Sequence, residues 1–82
     1  MARAVIEFSS DISPIMPLVS KLVKGTSYNP EAHLAAFNLN GHAVIIEAHQ
    51  MAIYGIEDAT AARNILEWLK DNLIHLTKIS IK

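Results

Sequence analysis

Four histidines are the residues of this chain whose type suits metal binding or proton transfer. In a hairpin that turns at residues 40–41, His33 and His42 lie on one face about 20 Å apart along the strands, and His49 lies on the other face. Zinc ligands lie about 2 Å from the metal, so these side chains are not expected to converge. His75, near the end of a predicted helix, is expected at the surface or as a helix-end cation. The spacing predicts no metal site.

Glu57 and Asp58 form the one adjacent carboxylate pair, at the start of a predicted helix. Neighbouring side chains on a helix point apart, and the helix dipole favours negative charge in the first turn, so capping is expected rather than acid–base catalysis. The chain has no cysteine and therefore no thiol nucleophile or Cys-based metal site. Its three glycines are isolated, so no phosphate-binding loop is expected. We predict no catalytic residue, no cofactor and no enzyme activity.

The elements that position these residues fit into 82 residues, which is the size of one small domain over 1–82. The composition is 51% hydrophobic and 18% charged, so a core is expected. A net charge of -1 disfavours direct binding to duplex nucleic acid. The absence of cysteine fits a reducing cytoplasm, and no apolar run is long enough to predict a membrane span.

Hydrophobic periodicity predicts an α+β fold in the order strand-helix-strand-strand-helix. Alternating residues predict strands, and apolar residues at i, i+3, i+4 and i+7 predict helices. This order gives a three-stranded antiparallel sheet with two helices packed on one face, and a possible extra C-terminal strand. The predicted elements are a strand over 2–8, a helix over 14–24, hairpin strands over 32–39 and 42–54, a helix over 58–74, and a tail or edge strand over 76–82.

The strongest local signal is Asn40-Gly41, the pair that favours a type I′ hairpin turn. With that turn, each strand of the hairpin has apolar residues on both faces. Two helices can cover only one face, so the other is expected to meet a second copy of the chain. The predicted dimer face consists of Leu34, Ala36, Ala43 and Ile45.

The positions of two residues in the second predicted helix each allow two interpretations. Trp68 lies at the border of the apolar stripe, either as part of the core or as an exposed aromatic anchor for a partner. Arg63 lies beside small residues, either as a solvated charge or as a contact to a partner carboxylate or an RNA phosphate.

The opening of this helix, Asp58-Ala59-Thr60-Ala61-Ala62-Arg63, followed by an aliphatic stripe, resembles the Pcc-type small subunit of the KEOPS complex of archaea and eukaryotes. The resemblance implies a non-catalytic homodimer with a three-stranded sheet that joins two larger ATPase-like catalytic subunits. That complex makes threonylcarbamoyl-adenosine in tRNA, so an indirect tRNA contact is implied as well. Two prolines in the first helix and the slightly acidic charge depart from the family, as in a diverged paralogue. The predicted partner-binding residues are Arg63, Leu66, Trp68, Leu69 and Leu73. For Leu66, Leu69 and Leu73 the resemblance implies packing against the sheet of their own chain or against a partner helix.

An alternative treats residues 76–82 as a fourth strand. The order then becomes that of ferredoxin-like folds and favours a small-molecule-sensing or RNA-binding module.

Overall fold

The chain forms one antiparallel sheet with its helices against one face, as a computed structural model describes it over residues 2–82. The strands and α-helices are β1 (Ala2–Glu7), α1 (Met16–Leu22), β2 (Ser27–Asn29), β3 (Leu34–Leu39), β4 (His42–Ile46), β5 (Gln50–Ile56) and α2 (Ala59–Asn72). Two short 3₁₀ helices, Ser13–Ile15 and Ile74–Lys78, precede α1 and follow α2. The five strands lie in the order β1-β5-β4-β3-β2.

The α+β class is confirmed, but the three-stranded sheet is wrong, because the sheet has five strands. The segment expected as one strand over 42–54 turns back on itself and forms β4 and β5. The backbone N–H of Glu47 donates to the carbonyl of Gln50 at 2.9 Å and closes this turn. The turn contains no Gly, Pro, Asn or Asp, the residues that usually mark a turn. The sequence pattern therefore predicts one continuous strand here.

The other additional strand, β2, lies where the sequence predicts only a loop. It is three residues long and pairs with β3, with Tyr28 opposite Ala35. The Asn29 side-chain oxygen then accepts the backbone N–H groups of Glu31 and Ala32 at 3.1 and 3.2 Å, which turns the chain. A strand this short has too few residues to show an alternating pattern.

Residues 76–82 form no regular strand of the sheet. The 3₁₀ helix takes the segment to Lys78, and a single antiparallel bridge then joins Ile81 to Phe8. The ferredoxin-like order therefore differs from the order observed. No helix within residues 2–82 is both long and apolar enough to cross a membrane.

Local chemistry explains where the helices begin. Asp58 caps α2 from outside the helix, and its carboxylate accepts the N–H groups of Thr60 and Ala61 at 2.8 and 3.2 Å. The helix runs over 59–72, shorter than the predicted 58–74. The first predicted helix begins as a 3₁₀ turn, with Pro14 and Pro17 near its start, and becomes α-helical at Met16.

One face of the sheet and both helices enclose the core. Val44 and Ile53 face each other across β4 and β5, and both are fully buried. Val19 of α1 and Leu69 of α2 are fully buried against that face. Because the helices cover only this side, the side chains at alternate strand positions face away from them.

Candidate interaction surface

The face of the sheet that the helices do not cover, called here the open face, has an apolar row across four strands. Val5 of β1 lies opposite Ala52 of β5, Ala52 lies opposite Ile45 of β4, and Ile45 lies opposite Ala36 of β3. Leu34 lies two residues before Ala36 and therefore on the same face. These five residues are called here the apolar row.

The apolar row is exposed at its ends and flat in the middle. Val5 is 42% exposed and Leu34 is 37% exposed, whereas Ala52 is only 5% exposed although no helix covers it. A methyl side chain between the longer side chains of two neighbouring strands leaves little surface of its own. The row therefore presents a shallow apolar surface rather than a cavity.

The predicted dimer face lies on this side of the molecule. Leu34, Ala36, Ala43 and Ile45 are each exposed or partly exposed on the open face, and Ala36 pairs directly with Ile45. Val5 and Ala52 lie on the same face and do not belong to the predicted set. The signal for Val5 is the alternation of β1, which puts Arg3, Val5 and Glu7 on one side.

Charges flank the apolar row on β1. Arg3 and Glu7 are exposed and lie two residues before and after Val5 on the same face of the strand. At about 3.3 Å per residue, their Cα atoms are about 13 Å apart. One edge strand therefore carries a positive charge, an apolar residue and a negative charge in line.

The structure separates the five predicted partner-binding residues into two groups. Leu66, Leu69 and Leu73 are 7%, 0% and 5% exposed and pack into the core of their own chain, leaving little or no surface for a partner. Arg63 is exposed, and Trp68 is 37% exposed. Only these two side chains present substantial surface to another molecule.

The four histidines do not assemble into a metal site. Among residues 2–82, no cluster of three or more His, Cys, Asp or Glu side chains could hold an ion. His42 Nδ1 lies 3.0 Å from the carbonyl oxygen of Tyr54, which ties β4 to β5. His33, His49 and His75 are exposed, His33 with a positive φ of 51° before β3.

Two surface grooves within residues 2–82 are further candidates for ligand binding. One, of about 310 Å³, lies at the end of β1 and is lined by Glu7, Ser9, His49 and Lys82 among others. The second, of about 420 Å³, has a mostly apolar lining at the ends of α1 and α2. The first groove contains a hydroxyl and an imidazole, but the Ser9 hydroxyl donates to the carbonyl of Ser80 at 3.0 Å.

The pKa of Asp11 is lowered, and the cause is local. The Ser13 side chain and then the Ser13 backbone N–H, which donates to Asp11 Oδ1 at 2.7 Å, lower the pKa of Asp11 below its usual value. The Ser13 hydroxyl is buried and has no hydrogen-bond partner among the described residues, so the backbone N–H of Ser13 makes the well-formed bond to this carboxylate. Asp11 is exposed and starts a 3₁₀ turn, which is a structural role.

Comparison with protein-family models, with curated proteins and with solved structures finds no match for this chain.

Proposed function

We propose that this chain is a non-catalytic docking module that forms a homodimer through its open face. The observation that carries the proposal is the apolar row of Val5, Ala52, Ile45, Ala36 and Leu34, which no element within residues 2–82 covers. Contiguous apolar surface of this kind is typical of interfaces.

The size of the open face indicates how much of it a dimer needs. Five strands about 4.8 Å apart and six residues long span about 24 by 20 Å. A typical interface buries about 800 Å² on each partner, about one sixth of the 5064 Å² that the chain exposes. A stable dimer therefore uses the whole open face, including the charges on either side of the apolar row.

Those charges favour one arrangement of the two copies. A two-fold axis that runs along the apolar row places the row of one copy over the row of the other. The same axis exchanges the two ends of each strand, so Arg3 of one copy lies over Glu7 of its partner, twice per dimer. The charge pattern of β1 thus complements itself, as a symmetric interface requires.

The opposite side of the molecule remains free for a companion. Arg63 and Trp68 are exposed on α2, and arginine and tryptophan are frequent anchors of protein interfaces. On the resemblance of the Asp58–Arg63 helix opening, we propose that the companion is a larger ATPase-like catalytic subunit of the KEOPS type. The module then supports threonylcarbamoyl-adenosine modification of tRNA in the cytoplasm, and it contacts tRNA only indirectly.

The alternative of a small-molecule-sensing or RNA-binding module has less support. It requires residues 76–82 as a fourth strand of a ferredoxin-like sheet, and these residues instead make one bridge, between Ile81 and Phe8. No other feature of the described residues favours it.

Light scattering after size-exclusion chromatography over a range of micromolar concentrations tests the dimer. We expect twice the mass of one chain. A mass of one chain throughout that range would contradict the proposal.

Co-purification with a KEOPS-type ATPase-like subunit tests the companion separately. We expect capture by the wild-type chain and loss of capture with Arg63→Glu or Trp68→Ala, while the dimer persists. A Glu57→Gln variant, changed at an exposed position before the same helix, serves as the control that keeps capture.

A further inference from the structure

The outer edge of β1 is closed over part of its length by the C-terminal segment. β5 occupies one side of β1, and the other side is the edge of the sheet. Backbone groups of a strand point alternately to its two sides. The N–H of Phe8 donates inward to the carbonyl of His49 at 2.8 Å. The backbone groups of Arg3, Val5 and Glu7 therefore point outward.

Residues 80–82, called here the edge cap, fill the outer side of β1 at its end. The N–H of Lys82 donates to the carbonyl of Glu7 at 2.8 Å, and the N–H of Ser9 donates to the carbonyl of Ser80 at 2.9 Å. The Ser9 hydroxyl donates to the same carbonyl at 3.0 Å. These bonds flank the antiparallel bridge between Phe8 and Ile81.

The cap leaves the first half of the edge open. Within residues 2–82, no chain segment pairs with the outward groups of Arg3 and Val5. The opposite edge of the sheet, β2, is only three residues long and is followed by Pro30, so it offers little to pair with. β1 is therefore the edge at which another strand can add to this sheet.

The residues of β1 specify what that strand could be. If a second copy's β1 pairs antiparallel with Val5 opposite Val5, then Arg3 lies directly opposite the partner's Glu7. The outward groups of residues 3, 5 and 7 then pair with each other. Opposite charges at directly opposed positions stabilise such pairing. The sequence of this edge is thus complementary to itself.

This pairing and the edge cap exclude each other. The partner's Arg3 must reach the carbonyl of Glu7, to which Lys82 already donates. We infer that residues 80–82 act as an autoinhibitory cap that keeps β1 from pairing edge to edge with the β1 strand of a second copy. Cap residues Ser80, Ile81 and Lys82 are all exposed, so little packing holds them in place.

The inference concerns the β1 edge and not the open face, so it is tested in an Ile45→Lys background, in which the proposed face-to-face dimer is disrupted. Deletion of residues 80–82 in that background is expected to tighten self-association about tenfold, because neither copy then has to release its cap before the two β1 strands pair. Sedimentation velocity over a concentration series measures the change. No tightening with the fold intact would overturn the inference.

Two variants of one residue isolate the hydrogen bond that closes the cap. Lys82→Pro removes the N–H that donates to Glu7 and is expected to tighten self-association, whereas Lys82→Ala keeps that N–H and is expected to leave it unchanged. Equal behaviour of the two variants would contradict the inference. These full-length variants also decide the question if the deletion lowers stability, which urea unfolding monitors.

A further pair of variants shows which edge is used. In the deleted chain, Val5→Pro removes an outward N–H that makes no bond within the sheet and is expected to abolish the tightened association. Val5→Thr keeps the N–H and is expected to retain it. Persistence of association with Val5→Pro would place the contact elsewhere and overturn the inference. If the wild-type chain is itself a monomer, the Ile45→Lys change is not needed and the same variants are compared in the wild-type background. Failure of the face-to-face dimer can then be told apart from failure of the edge cap.

Discussion

Replacement of Ile45 by lysine tests the proposed dimer at the centre of its apolar row. Complete burial of an isoleucine side chain contributes about 1.5–3 kcal/mol. Ile45 is already partly buried between Ala36 and Ala52 in one copy, so we assign about 1 kcal/mol to the remaining burial in a dimer. Two copies lose this contribution together, about 2 kcal/mol, which raises the dimer Kd about 30-fold.

The lysine also raises the dimer Kd through its charge. Two ammonium groups meet near the two-fold axis, and each must lose part of its hydration, so the 30-fold increase is a lower estimate. Asn64→Lys on the exposed side of α2 is the matched control, since it adds the same charge away from the sheet. Sedimentation velocity yields both Kd values, and urea unfolding shows whether each variant remains folded. A Kd for Ile45→Lys within about twofold of the Asn64→Lys value would refute the reasoning.

Three further predictions concern the fold that presents this surface. Leu69→Ala, at a fully buried position, is expected to lower the free energy of unfolding by about 2–5 kcal/mol, and urea unfolding should show a smaller loss for Trp68→Ala next to it. Asp58→Ala should cost about 1 kcal/mol of stability by removing the α2 cap, while Asp58→Asn should retain most of it; equal losses would contradict the capping role. The pKa of Asp11 is lowered in the folded state, so its stabilising contribution is present above an unfolded pKa of about 3.9 and is lost as the pH falls through the folded value. Asp11→Asn should therefore flatten the acid side of a stability-against-pH curve, and an unchanged curve would refute this role.

The elements that depend on interactions between residues close together in the chain could be predicted. The stripe that includes Leu66, Leu69 and Leu73 predicts α2, because its apolar spacing and its capping residue lie within one segment. The turn at Asn40-Gly41 sets the register of β3 and β4, and Leu39 does lie opposite His42. Both residues of the turn have positive φ, at 52° and 81°, as a type I′ turn requires.

Elements whose causes lie far apart in the chain could not be predicted. The turn between β4 and β5 contains none of the residues that favour turns. Its carbonyls at Ala48 and His49 accept the N–H groups of Ile12 and Phe8 at 2.7 and 2.8 Å. Those donors lie more than thirty residues earlier in the sequence. The pairing of residues 80–82 with β1 likewise joins segments that lie far apart in the sequence.

For the candidate interface, residue alternation alone determined that Leu34, Ala36, Ala43 and Ile45 share a face, because successive side chains of a strand point to opposite sides. Only the strand order β1-β5-β4-β3-β2 decided that Val5 and Ala52 extend this face into one apolar row. Strand order depends on hydrogen bonds between distant segments, and such bonds leave no periodic trace in the residues that make them.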